Sequence, residues 1–170
     1  MTTSQSRAAS AYASVSLESR ANSSSGVDLV ILLIEGVLER VKLAKLAIGQ
    51  RDVMQKITHI NKALDIISEG LRAHLDVNSG GEIAKNLDDL YAYCLLRLVY
   101  ANSTNDEQAL DEIASLFTPL LNAWIAIRSG GNSGSVQTLA DVTRALKSAV
   151  PSVQRLYGAN TYGRLSAMGA

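Results

Sequence analysis

The stretch that decides the fold runs from residue 82 to residue 101 and reads EIAKNLDDLYAYCLLRLVYA. Apolar side chains recur in it at steps of three or four residues, namely Ile83, Leu87, Leu90, Cys94, Leu98 and Ala101. This period places them on one face of an α-helix, because a half-buried strand would alternate at every second residue. The stretch therefore predicts an amphipathic helix that turns one face toward a core.

Four further segments show the same helical period. Residues 27–48 are apolar nearly all round in the first half of the segment, and clean stripes run through 53–75, 110–127 and 136–157. Short connections between the first four helices favour antiparallel neighbours. We predict an all-α protein, an antiparallel up-down four-helix bundle with a short N-terminal cap and an extra C-terminal helical tail.

The breaks between these segments carry turn and cap residues. Asn78-Ser79-Gly80-Gly81 should end the second helix, since these residues tolerate positive φ. Asn105 lies three residues before Gln108, a spacing that predicts the N-cap of the fourth helix. Pro119 should bend or interrupt that helix, because proline cannot donate to the backbone ladder.

Composition divides the chain into four parts. Residues 1–26 are Ser/Ala-rich and predict a flexible segment with a cap element, and 27–128 form the bundle. Residues 129–135 have the Gly/Ser composition of a flexible linker. Residues 136–170 are predicted as a helical tail.

Charge and cysteine content exclude several classes of protein. Sixteen Lys and Arg balance sixteen Asp and Glu, so no basic face for nucleic acid is expected, and a protein partner or a small ligand is favoured. Cys94 is the single cysteine, which favours a reducing compartment. Since no apolar run approaches the ~20 residues that cross a bilayer, we expect no membrane insertion and a cytoplasmic protein. A Ser/Arg-rich organelle-targeting peptide at the N-terminus is an alternative.

Residues that could carry chemistry are scarce. His59 and His74 have no Cys, Asp or Glu at ligand spacing on the same face, which argues against a metal site. Cys94 falls on the apolar stripe and is read as core. No phosphate-binding loop, dinucleotide turn or nucleophile elbow occurs. We therefore expect no enzyme activity, no catalytic, metal or cofactor-binding residue, and no cofactor.

Two features indicate a binding face. Residues 29–34 are six consecutive apolar residues, which is wider than the stripe that a bundle helix buries. Either this helix sits centrally or part of its surface receives a partner. Tyr91 and Tyr93 are two apart on a helix and point in different directions, so one of them should reach a surface or groove.

Several motifs resemble the flagellin-specific export chaperones, the FliS family. Segments 29–36 and 62–76 are similar to the first and second helices of that family, and Asn105-Asp106, 110–112 and Trp124 to its fourth helix. Tyr12 and Val15 are similar to its N-terminal tyrosine element. The resemblance covers residues 8–127, and its most specific part is Gly80-Gly81-Glu82-Ile83-Ala84, Asn86-Leu87, Leu90-Tyr91, Tyr93, Arg97-Leu98 and Ala101-Asn102.

The resemblance implies a cytosolic chaperone that binds the disordered C-terminal segment of flagellin. The segment would fold into helices in apolar grooves of the bundle, which prevents premature polymerisation and supports flagellar type III export. The flagellar export gate is a further expected partner, and the chaperone would be a monomer or a weak homodimer. Two alternatives stay open: a chaperone paralogue for another flagellar substrate or regulator, and a structural bundle that self-associates through helix one.

The candidate partner-binding residues follow from the same resemblance. They comprise a cap, an apolar groove on helix one and a side on helix three. The helical period does not decide which of them face the core and which the groove. The candidates are Tyr12 and Val15 for the cap, Leu29, Leu32, Leu33 and Ile34 for the groove, and Asn86, Leu87, Tyr91 and Tyr93 for helix three.

The tail has three interpretations. It is a solvated or loosely packed extension, a natural or engineered fusion of a tethered ligand, or a self-cap. The self-cap interpretation rests on the pattern Tyr-x-x-aliphatic-Ser, which is shared by the elements around Tyr12 and Tyr162. It names Tyr162 and Leu165 as residues that would compete for the groove.

Overall fold

The computed structural model describes residues 26–130 and 133–150, and the regular structure in these ranges is helical. The predicted all-α class is confirmed. Within the described ranges, five α-helices follow one another, and a π-helical segment, Ile66–Leu71, and a 3-10 turn, Arg72–His74, continue the second of them. The helices are α1 (Gly26–Gly49), α2 (Val53–Asp65), α3 (Gly81–Thr104), α4 (Glu107–Arg128) and α5 (Ser133–Ala149).

The first four helices form a ring in which α1 and α3 each pack against both α2 and α4. Two ion pairs fix the direction of α4 relative to α1. Lys45 near the end of α1 lies 2.7 Å from Asp111 near the start of α4. Asp28 at the start of α1 lies 3.8 Å from Arg128 at the end of α4. These two helices therefore run antiparallel.

Helices α2 and α3 meet in the same sense. Between α2 and α3, Lys56 bonds to Asn102 while Arg72 pairs with Asp88. A residue early in one helix thus meets a residue late in the next, as the up-down prediction requires.

The core lies inside this ring. Its largest side chains are less than 2% exposed, and each contributes about 1.5–3 kcal/mol on burial. Helix α1 contributes residues at steps of three or four, so it presents one buried stripe with half-buried residues on either side of it. The largest fully buried apolar residues are Tyr91, Phe117, Ile34, Ile60, Ile67, Leu90, Leu98, Leu110, Ile113, Leu120 and Val37.

The second helix changes its winding after Asp65, which the apolar stripe over 53–75 did not predict. Two glycines allow close contact there. A Cβ on Gly70 would lie 3.1 Å from Cδ2 of Leu33, and one on Gly36 would lie 3.3 Å from Cδ1 of Ile66. The π segment keeps Ile67 and Leu71 in the core while its glycine lies against α1.

The cap of α4 corrects one prediction. Asp106, not Asn105, is the N-cap, because its backbone is extended and its carboxylate accepts from the N–H groups of Gln108 and Ala109 at 2.9 and 3.2 Å. Asn105 instead ends α3 in the left-handed conformation with φ of 54°. Its side-chain oxygen accepts a hydrogen bond from the buried Lys56 at 2.7 Å.

The turn before α3 gives a stability prediction. A Cβ on Gly80 would lie 2.5 Å from the Ala84 Cβ and 2.6 Å from the Asp76 carbonyl oxygen. We expect Gly80→Ala to lower the free energy of unfolding by about 1–3 kcal/mol, because backbone must move to relieve these contacts. Urea unfolding measures it. Gly49→Ala is the control, since it meets nothing within 4 Å. An unchanged urea midpoint for Gly80→Ala would contradict the account.

Helix α4 has the length and apolar content of a bilayer-crossing helix, and it alone does so among the described ranges. It contributes seven buried residues to the bundle, as the central helix of a folded domain does. The helix continues through Pro119, so of the two predicted outcomes, a bend or an interruption, the interruption is wrong. Its buried residues are Ala109, Leu110, Ile113, Leu116, Phe117, Leu120 and Ala123.

Helix α5 lies outside the ring and packs across α3 and α4. It begins at Ser133, inside the stretch predicted as a linker, so the connection to α4 is shorter than expected. Leu139, Thr143 and Leu146 are buried against the bundle. This part of the tail is a packed helix, which corrects the interpretation of a solvated extension.

Candidate functional site

The candidate groove residues on α1 divide into two groups. Ile34 is fully buried and lies in the core, so its side chain stabilises the bundle rather than lining an open groove. Leu29, Leu32 and Leu33 are half-buried, and Leu33 lies against Gly70. Of the four candidates on α1, these three leucines therefore keep accessible apolar surface.

The four candidates on α3 are all buried. Tyr91 points into the bundle and stacks on Phe117, with 6.1 Å between ring centroids and 22° between ring planes. Leu87 belongs to the same core. The two tyrosines do point in different directions, but neither is exposed. Tyr93 lies at the boundary between α3 and α4, where its hydroxyl donates to Glu112.

Glu112 joins two residues of α3 in a polar cluster. One carboxylate oxygen accepts from the Tyr93 hydroxyl, and the other accepts from Nε of Arg97 at 2.8 Å. The Arg97 guanidinium also lies 5.2 Å from the centroid of the Tyr100 ring. Burial, and then the hydrogen bond to the Glu112 carboxylate, raise the pKa of Tyr93 to about 12.

This cluster predicts a loss of stability in alkali. The neutral tyrosine is favoured in the folded state, whereas the unfolded side chain titrates near its ordinary pKa of 10.0. Stability from Tyr93 is thus fully present below pH 10 and is lost as the pH rises toward about 12. We expect Tyr93→Phe to be about 1.5–3 kcal/mol less stable than wild type at pH 8, and this difference should narrow at pH 11. Urea unfolding at both pH values measures it, and a constant difference would contradict the prediction.

A row of residues along α3 lies at steps of four, three and four, namely Glu82, Asn86, Asp89 and Tyr93, and we call it the α3 row. Its two acidic residues pair with α5: Arg144 lies 3.5 Å from Glu82 and Lys147 lies 3.6 Å from Asp89. Residues at this spacing share one helix face. Asn86 and Tyr93 therefore lie on the same face of α3 as the two acidic residues that pair with α5.

At the end of the bundle where α3 begins and α4 ends, two buried polar atoms have no hydrogen-bond partner among the described residues. They are Oδ1 of Asn86 and Nε1 of Trp124. A buried acceptor or donor that is left unpaired costs about 1–3 kcal/mol. Because Asn86 lies early in α3 and Trp124 late in α4, both atoms could bond to a ligand at the same end of the two helices.

The described ranges contain no group of three or more His, Cys, Asp or Glu side chains that could hold a metal. Nδ1 of His59 lies 3.3 Å from Nη1 of Arg40, and Nδ1 of His74 lies 3.1 Å from the Gly70 carbonyl oxygen. Cys94 is fully buried, as predicted, and burial raises the pKa of its thiol. The arrangement suits binding by apolar contact and hydrogen bonding.

Four candidates lie outside the described residues, namely Tyr12, Val15, Tyr162 and Leu165. Sequence reasoning also missed Glu112, which joins Tyr93 and Arg97, and the contact of α5 with the α3 row. The i, i+4 spacing of Tyr93 and Arg97 signals a shared face. It does not reveal the carboxylate across the helix boundary.

Comparison with known proteins gives a consistent result. The family model described as flagellar protein FliS matches residues 8–131. The flagellar secretion chaperone FliS of Salmonella typhimurium is 43% identical over 114 residues, which cover 67% of this chain and 84% of the relative. FliSB of Pseudomonas aeruginosa is 40% identical over 116 residues, covering 68% and 91%. FliS of Vibrio cholerae is 38% identical over 114 residues, covering 67% and 83%.

Proposed function

Because the chain belongs to the FliS family of flagellar proteins, we propose that it is a flagellar secretion chaperone that binds flagellin before export. It acts in the cytoplasm without catalysis, holds the disordered C-terminal segment of flagellin and so prevents premature polymerisation. The same complex delivers flagellin to the export gate. The relatives carry the name flagellar secretion chaperone, which supports a flagellar cargo over a purely structural bundle.

The observation that carries the proposal is the surplus apolar surface of α1. Ile31 and Ile34 supply the core, while Leu29 and Leu32 stay half-buried beside them. A disordered segment that folds on binding loses chain entropy, so a large apolar contact must offset that loss. The leucines provide part of such a contact for a cargo helix laid against the bundle.

Three of the candidate residues lie in the core and are proposed to act by positioning the helices. Ile34, Leu87 and Tyr91 pack in the apolar core, and we propose that they fix the helices on which cargo docks. Asn86 and Tyr93 are also buried, but they share a face of α3 with the two acidic residues that pair with α5. Leu29, Leu32, Leu33, Asn86 and Tyr93 remain the proposed contact residues. The unpaired oxygen of Asn86 supports a hydrogen bond that sets the register of the cargo.

A polymerisation assay tests this function. Purified flagellin monomers are seeded with filament fragments, and growth is followed by light scattering with and without equimolar chaperone. We expect strong suppression by the wild-type chain, and weaker suppression by Leu29→Asp/Leu32→Asp because a charge enters the apolar contact. Leu46→Asp is the control, since Leu46 is exposed at the opposite end of α1. Normal filament growth with the wild-type chain would contradict the proposal.

A second candidate is weak self-association, which one observation favours. Among the residues that the structure describes, the exposed large apolar side chains are Leu46, Val53, Met54, Val99 and Tyr100, and the antiparallel order places all five at one end of the bundle. An exposed apolar patch often marks a protein contact. We propose that a weak homodimer would form through this end rather than through the middle of helix one. Sedimentation of wild type and Met54→Lys over a range of concentrations tests it, and identical monomeric behaviour of the two would contradict it.

A further inference from the structure

Helix α5 packs as an amphipathic helix on the face formed by α3 and α4. Its packed side carries Leu139, Val142 and Leu146 together with the buried Thr143, and its basic residues Arg144 and Lys147 pair with Glu82 and Asp89 at the edge of the contact. We propose that this face is where one helix of the flagellin segment docks, and that α5 is a tethered occupant which the cargo displaces. The inference rests on the proposed function.

The first support is that α5 lies outside the family. The family match ends at residue 131, and α5 begins at Ser133. In the Pseudomonas aeruginosa relative the aligned 116 residues are 91% of the protein, so its remainder is shorter than the 17 residues of α5. The matched bundle therefore occurs without a helix of this length appended to it.

The second support is that α5 packs on the helix face that carries two candidate contact residues. Asn86 and Tyr93 belong to the α3 row, whose Glu82 and Asp89 pair with α5. Two of the side chains that the family resemblance assigns to cargo are thus buried and share a face of α3 with the partners of a segment that the family match does not include.

The third support is that α5 is an imperfect occupant. Asn86 is 2% exposed, yet its Oδ1 accepts no hydrogen bond from any described residue. The ion pairs to Glu82 and Asp89 are exposed and are expected to be weak. A cargo helix with the same apolar spacing, basic residues facing Glu82 and Asp89, and a side-chain donor opposite Asn86 would fit better.

The physical consequence is a threshold for binding. A tethered helix keeps a high local concentration at the face, so a free ligand must outcompete it. The apparent dissociation constant is the intrinsic one divided by the fraction of molecules whose face is open. Weak or non-cognate helices are excluded, while a longer cargo segment that also contacts Leu29 and Leu32 is admitted.

Full-length variants of the chain test the competition. Leu139→Asp/Leu146→Asp places two charges on the buried side of α5 without altering α3 or α4. Ala145→Asp/Ser148→Asp is the matched control, because it adds the same charge at two exposed positions of α5. Each protein is titrated against a fluorescein-labelled peptide with the sequence of the flagellin C-terminal segment, and anisotropy is measured.

We expect the release variant to bind the peptide about tenfold or more tightly than wild type, and the control variant to match wild type. Unchanged or weaker binding by a folded release variant overturns the inference and leaves the chaperone function intact. If no variant binds the peptide, the proposed function fails, and the inference fails with it.

Hydrogen exchange on the unmodified chain provides a second test that does not depend on the folding of any variant. Saturation with the same peptide should raise the exchange rate of the backbone amides in 139–149, because α5 leaves the face. Equal or slower exchange of these amides in the complex overturns the inference.

Discussion

Replacing Phe117 by alanine is expected to lower the free energy of unfolding by about 3–5 kcal/mol, the largest effect of any single substitution considered. The ring is fully buried at the centre of α4, and it stacks on Tyr91 of α3. Its removal leaves a cavity between two helices that the surrounding side chains fill only in part. Because domain stability is only about 5–15 kcal/mol, the variant should melt roughly 10–20 °C below wild type.

Thermal melts followed by circular dichroism at 222 nm measure this effect. Ser115→Ala is the control on the same helix, because Ser115 is exposed and its loss should change stability by less than about 0.5 kcal/mol. A double-mutant cycle with Tyr91→Leu should show a coupling of about 0.5–1.5 kcal/mol between the rings. A Phe117→Ala melting temperature within a degree or two of wild type would contradict the central position of this ring.

Ile34→Ala is the second large prediction, with an expected loss of about 2–5 kcal/mol. The side chain is fully buried in α1, where it contributes to the core. Its neighbour two residues before, Leu32, is half-buried on the proposed contact surface. Substitution of Ile34 should therefore lower the stability of the bundle, whereas substitution of Leu32 should weaken flagellin binding.

The measurement pairs thermal melts with a flagellin titration. Ile34→Ala should lower the melting temperature strongly. Leu32→Ala should leave the melt within about 1 kcal/mol of wild type and weaken flagellin binding by roughly fivefold to thirtyfold. The assignment of Ile34 to the core would be wrong if the first variant melted like wild type and only its affinity fell.

The position of Ile34 could not be predicted from the sequence pattern alone. Residues 29–34 are all apolar, so hydrophobicity alone does not separate core from surface, and the resemblance placed Ile34 in the groove. The burial of Ile34 depends on the neighbouring helices. The buried stripe of α1 runs from Ile31 to Ala47, and α1 packs against both α2 and α4. By contrast, the period in 82–101 predicted the buried positions Leu87, Leu90, Cys94, Leu98 and Ala101 well, because they recur at steps of three or four, whereas Ile83 of the same stripe is half-buried.

The N-cap prediction for α4 was wrong because two adjacent residues suit that position almost equally well. Asn105 and Asp106 are both good cap residues, and only the backbone shows that one ends α3 while the other begins α4. The π segment lies against α1 where Gly36 is close to Ile66 and Gly70 is close to Leu33, pairs that are thirty and thirty-seven residues apart. Such a contact has no signature in the local pattern.

The sequence predicted only part of the candidate site, because contacts between residues far apart in the chain leave no local pattern. The resemblance named Asn86 and Tyr93, and the structure places both on one face with Glu82 and Asp89. The partner of Tyr93, Glu112, lies nineteen residues further along the chain. The α5 residues that cover the row lie more than fifty residues further along, so no local period could reveal the contact.

The most direct test of the chaperone function is a calorimetric titration of the full chain with two forms of flagellin from the same organism. One form is the full-length monomer, and the other lacks the C-terminal segment. We expect one-to-one binding with measurable heat for the full-length monomer and no binding for the truncated form. Equal affinity for both forms would contradict recognition of the C-terminal segment, and absence of binding to either form would contradict the function itself.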